Sequence, residues 1–94
     1  MTNQPPYTPE QVRGSERAAK EAEAAATELE AAAAEAAAMS AEGLDAYQRD
    51  VRATLIRSAY ETAQAARERA TQARKTADAV AMANAAWHQE HGGG

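Results

Sequence analysis

The sequence predicts an all-α protein, an antiparallel two-helix hairpin, and three observations carry that prediction. Alanine, the strongest helix former, supplies 28 of the 94 residues, while cysteine and phenylalanine are absent. Two long stretches repeat small or apolar residues at spacings of three and four, as a helix face requires. Each stretch opens on a helix-start signal, and one glycine-containing break near the middle separates them.

The first element begins after a lead-in at residues 1–8, where Pro5 and Pro6 oppose helix. Thr8 has the features of an N-cap: Pro9 follows at the first helical position, and Gln11 completes a Thr-x-x-Gln capping box. Tyr7 and Val12 take the two positions of a hydrophobic staple, and Glu10 complements the positive end of the helix dipole. Only the mild cost of Gly14 interrupts the run to about residue 38, a helix of roughly 45 Å.

The turn is expected at about 39–45, with Gly43 taking a left-handed conformation that ends the first helix. Asp45 and Gln48 form a second start signal, Asp-x-x-Gln. The second helix then runs over about 46–90, roughly 67 Å. The hairpin unit covers 9–91, and Gly92, Gly93 and Gly94 form a flexible tail. So short a connection forces the helices antiparallel.

The predicted seam of the first helix is Val12, Ser15, Ala19, Ala22, Ala26, Leu29, Ala33 and Ala36. In the second it follows Leu44, Tyr47, Val51, Leu55, Ala59, Thr62 and Ala66, then Ala70, Ala73, Ala77, Val80, Asn84 and Trp87. Both are heptad-type seams of mostly small residues, which let backbones approach closely. A tight turn centred near residue 42 places Glu35 near Arg49, Glu28 near Arg57, Glu16 near Arg69 and Glu10 near Arg74. It also leaves residues beyond about 75 without a partner on the first helix.

Few large apolar residues remain to build a core once alanine is set aside, so a monomer has little to bury. A second chain is the natural source of the missing burial, as a homodimer or a heterodimer with another helical hairpin that completes a four-helix bundle. The net charge of −4 argues against a nucleic-acid partner. No apolar run is long enough to span a bilayer, and no signal peptide opens the chain. The expected location is the cytoplasm, or outside the cell without a cleaved signal peptide. The Ala/Arg/Glu bias matches a GC-rich bacterial source.

No grouping of residues supports catalysis, and no cofactor is implied. His88 and His91 lie one turn apart beside Glu90, but two imidazoles at a fraying end before three glycines hold a metal poorly. The candidate partner-binding residues are Val80, Asn84 and Trp87 on the overhanging end of the second helix, with Ile56 and Tyr60 on its outer face as the fallback. Trp87 is the only tryptophan and a suitable interface anchor; the alternative is that Pro5, Pro6 and Tyr7 fold back and cover it. Asn84 on an apolar stripe either fixes register with a partner or sits half-exposed near a helix end. Gly43, Asp45 and Gln48 are the turn residues.

The segment Ala41-Glu42-Gly43-Leu44-Asp45-Ala46-Tyr47-Gln48 resembles the turn of the Trp-x-Gly family of type VII (ESX-type) secretion substrates, and the Thr8-Pro9-Glu10 opening is similar to the start of their first helix. The resemblance spans the whole chain in layout and about eight residues in motif. It implies a dimeric helical hairpin exported, or delivering a partner, without a signal peptide. Two departures stand out. Ala41 occupies the place of the family's tryptophan, and the aromatic-to-acid export signal is missing, with Val80 to Asn84 its nearest equivalent. A non-enzymatic partner protein of this secretion type is the leading functional expectation. The alternatives are a self-associating coiled-coil scaffold, phage or cytoplasmic, and a small inhibitor or antitoxin-like regulator.

Overall fold

The computed structural model describes residues 4–91; the glycine tail and the first three residues of the lead-in lie outside the described residues. Helix α1 spans Pro9–Ala38 and helix α2 spans Ala46–His91, packed as a hairpin, with no strand among the described residues. The molecule is a rod of 73 × 17 × 16 Å.

Both helix starts are capping boxes, as the sequence predicts. The Gln11 N–H donates to Thr8 Oγ1 at 3.1 Å while the Thr8 N–H donates to Gln11 Oε1 at 2.8 Å. At α2 the Gln48 N–H donates to Asp45 Oδ1 at 2.8 Å, and the Asp45 N–H to Gln48 Oε1 at 3.0 Å. Each pair satisfies two donors that a helix start otherwise leaves unpaired.

The connection departs from expectation at Gly43. Helix α1 ends at Met39, whose backbone is extended (φ −67°, ψ 137°), not at a left-handed glycine. Gly43 does take a left-handed φ of 82°, but inside the loop, as the third residue of a β-turn closed by the Leu44 N–H on the Ala41 carbonyl at 3.2 Å. A positive φ there is the requirement of a type II turn. The Ser40 hydroxyl accepts from the Glu42 N–H at 3.1 Å and stiffens the approach.

The interior is built from alanine. Ala19, Ala26 and Ala33 of α1 are fully buried, one heptad apart. They face a line on α2 containing Ala63, Ala66, Ala70, Ala77 and Val80. The predicted α1 seam is buried or half-buried throughout. On α2 the predicted seam holds from Ala66 to Trp87 and, before that, only at Leu44 and Ala59: Tyr47 is 77% exposed, Leu55 65% and Val51 39%, and Thr62 is exposed as well. The inner line there is Arg52, Ile56, Ala59 and Ala63, the strict continuation of alternating three and four.

The register also differs. Ala26, expected opposite Ser58, packs with Ala66 and Ala70, a displacement of between two and three helical turns. The four anticipated charge pairs are replaced by Arg67 with Glu30, and by Arg74 with both Glu16 and Glu23. An extended loop explains the displacement: residues 39–45 climb beside the first turns of α2 before that helix begins. The unmatched length of α2 therefore projects past the end of α1 at the turn, not at the C-terminus. Val80, expected to overhang, is 7% exposed within the hairpin.

Candidate protein-docking surface

The projecting turns of α2 carry a cluster of exposed apolar side chains, whereas Met82, 71% exposed, stands apart toward the other end of the helix. Tyr47, Val51 and Leu55 follow one another at four-residue steps, so they share one face of the helix. Met39, 69% exposed at the end of α1, stands beside them. Together with Leu44, Ile56 and Ala36 they line an open groove of about 470 Å³. On the side away from the loop the stripe is bordered by Asp50 and Thr54, which share a shallow depression with Tyr47, Val51 and Leu55.

Arg52 fixes this groove. Helix α1 has no basic residue in its last turn, so its terminal carbonyls lack a local cation. The Arg52 guanidinium supplies one from the neighbouring helix, donating to the carbonyls of Ala37 at 3.2 Å, Ala36 at 3.5 Å and Met39. Arg49 Nε donates to the Leu44 carbonyl at 3.1 Å and holds the other end of the loop. Two arginines thus pin the connection against α2 and leave Tyr47, Val51 and Leu55 uncovered.

One flank of the hairpin is an ionic ladder. Arg74 donates to Glu16 and Glu23 at 2.7 and 2.8 Å, and Arg67 donates to Glu30 at 2.7 Å and to the Thr27 hydroxyl at 3.1 Å. The hydrogen bonds from Arg74 and Arg67 hold the carboxyls of Glu23 and Glu30 below the ordinary range, and both arginines are pushed above theirs. Glu16, Glu23 and Glu30 recur every seven residues, as do Arg67 and Arg74. This repeat selects the register and the antiparallel orientation more than it stabilises the fold.

The C-terminal end is closed by the chain's own lead-in. The Tyr7 N–H donates to Asn84 Oδ1 at 3.0 Å, and Asn84 Nδ2 donates back to the Tyr7 carbonyl at 2.9 Å. Trp87 is half-buried, in a depression it shares with Gln4 and Pro6. Its ring stacks on His91 (centroids 4.6 Å apart, planes 16° apart) and meets His88 edge-on. The lead-in thus lies beside Trp87, and Asn84 is paired with the Tyr7 backbone, a role that neither of its two readings anticipates. Among the described residues no group of three or more His, Cys, Asp or Glu is arranged to hold a metal. No described helix is long and apolar enough to cross a membrane.

The fallback pair separates as well. Ile56 is half-buried on the inner line, and Tyr60, 47% exposed, sits beside Glu30 and Arg67 on the ladder flank, so the two do not form an outer stripe. Gly43, Asp45 and Gln48 are all turn residues, as expected. Sequence reasoning assigned Tyr47, Val51 and Leu55 to the core; the signal against it was the run of three successive four-residue steps from Tyr47 to Ala59, which leaves the heptad.

The arrangement is that of a helical hairpin with a thin alanine interior and an uncovered apolar tip. Compared with protein-family models, curated proteins and solved structures, the chain matches none.

Proposed function

We propose that this chain is a non-enzymatic partner protein that docks on a second helical hairpin through the projecting tip of α2. One observation carries the reading: the chain buries mainly alanine while Tyr47, Leu55 and Met39 remain more than 60% exposed on one end. Residues of this size normally enter a core or an interface, and clustered exposure marks the latter. A groove bordered by an uncovered helical stripe accepts the apolar face of an incoming helix. The secretion-partner role implied by the Ala41–Gln48 turn is compatible with this surface, since that turn shapes the groove.

The test is site-specific photo-crosslinking from position 55 in the native host, followed by mass spectrometry of the adduct. The expected product joins position 55 to a helical hairpin, and Tyr47→Glu in the same chain eliminates it. A chain that crosslinks to nothing from position 55, yet does so from the ladder flank, overturns the assignment of the surface. Retention of the chain in cells lacking a type VII secretion apparatus, with export when the apparatus is present, tests the secretion role.

A further inference from the structure

Resting on the docking role above, we infer that the tip of α2 is built to receive a second copy of this chain, the two α2 helices crossing antiparallel near Ala53 and Thr54. The argument begins with charge. Asp50 and Thr54 border the Tyr47–Val51–Leu55 stripe, and Arg57, three residues beyond Thr54, continues that flank along the helix. Asp50 and Arg57 are exposed, and among the described residues neither belongs to an ion pair.

A two-fold axis between antiparallel helices brings the same flank of each copy together and reverses the order of residues along it. The axis near Ala53 and Thr54 therefore sets Asp50 of one copy beside Arg57 of the other, and the reciprocal pair forms by symmetry. Val51 of each copy then lies near Leu55 of the other, so the same crossing covers the stripe. One acid and one base, a heptad apart on a single flank, are self-complementary in this orientation. In a parallel, in-register pair this flank faces the opposite flank of the other copy, so the reciprocal Asp50–Arg57 pairs do not form.

The projection of α2 makes the approach feasible. Helix α1 ends near the level of Leu55, so the first turns of α2 have no helix beside them, and the two α1 helices extend away from the crossing in opposite directions. The tip side chains expose on the order of 300–400 Å². A standard interface takes roughly 800 Å² from each partner. The expected dimer is accordingly weak, with a Kd on the order of tens of micromolar.

Sedimentation equilibrium on the full chain and on the variants Asp50→Arg and Arg57→Asp tests the inference. Each single variant is expected to self-associate at least about tenfold more weakly than the native chain, since both reciprocal pairs become repulsive. An equimolar mixture of the two restores dimerisation, because one chain then presents two guanidinium groups on this flank and the other presents two carboxylates. Far-ultraviolet circular dichroism on each variant verifies that the helices are intact. A mixture as monomeric as its components overturns the inference. So does a native chain that is monomeric at millimolar concentration; if position 55 still crosslinks to a different hairpin, the docking role stands and only the identity of the occupant fails. Absence of both self-association and any crosslink defeats the two together.

Discussion

The side-chain amide of Asn84 holds the backbone of Tyr7 at both its N–H and its carbonyl, at 3.0 and 2.9 Å. An amide matches a peptide group donor for acceptor, so one residue near the end of α2 fixes the chain entering α1. The position also brings Pro6 against Trp87. Asn84 is thus a clamp between the two ends of the chain, and its polar character on an otherwise small, apolar line has a local cause.

Asn84→Ala removes both bonds. Exposed hydrogen bonds contribute about 0.5–1.5 kcal/mol each, and both sites here are open to water, so the lower end applies. The expected result is a melting temperature lower by several degrees, faster hydrogen exchange at the Tyr7 amide and a red shift of Trp87 emission. Helix content and self-association stay unchanged, because the tip lies at the opposite end. Unaltered Tyr7 exchange means that the clamp does not form in solution.

Two glycines receive the same substitution with opposite outcomes. A Cβ added at Gly14 meets nothing within 4 Å, and the residue is an ordinary helical one, so Gly14→Ala stabilises by about 0.5–1 kcal/mol. At Gly43 the space is equally open, but φ is +82°, and alanine there is destabilising by about 1 kcal/mol. Thermal melts of the two variants should move in opposite directions, each by roughly 3–8 °C.

Ala26 has no accessible surface and packs with Ala66 and Ala70, so the helices are as close there as alanine allows. Ala26→Leu has no void to fill and must push the helices apart, at about 1–3 kcal/mol. Ala25→Leu, on the adjacent exposed position, should leave the melt nearly unchanged. Equal effects at the two sites contradict the helix orientation described here.

Glu23 and Glu30 carry lowered carboxyl pKa values because Arg74 and Arg67 donate hydrogen bonds to their ionised forms. Lowered folded values mean that the unfolded chain binds protons first on acidification. Their contribution is complete above the ordinary carboxylate range, about 4.3 for glutamate, and is lost as pH falls through the folded values. The melting temperature is therefore expected to hold from pH 7 to about 5 and to fall below about 4. Glu23→Gln should shallow that fall while lowering the plateau, and added salt should lower the plateau of the native chain.

Local chemistry was fully legible in the sequence. Thr8 with Gln11 and Asp45 with Gln48 mark both helix starts, because a capping box is completed by residues three apart and needs nothing distant. The α1 seam was legible for the same reason: its three–four spacing is unbroken from Val12 to Ala36. The sequence by itself determined two helices, their ends and their antiparallel order.

Only the tertiary structure decided the register. A seam made mostly of alanine packs nearly as well after a shift of one heptad, so burial alone does not choose among alignments. The choice falls to long-range contacts: the Glu16–Glu23–Glu30 ladder against Arg67 and Arg74, the hold of Arg52 on the last carbonyls of α1, and an extended loop that delays the start of α2. That delay moves the projecting length of α2 from Trp87 to Tyr47. Tyr47, Val51 and Leu55 stand outside because they lie off the line of Arg52, Ile56 and Ala59 that faces α1.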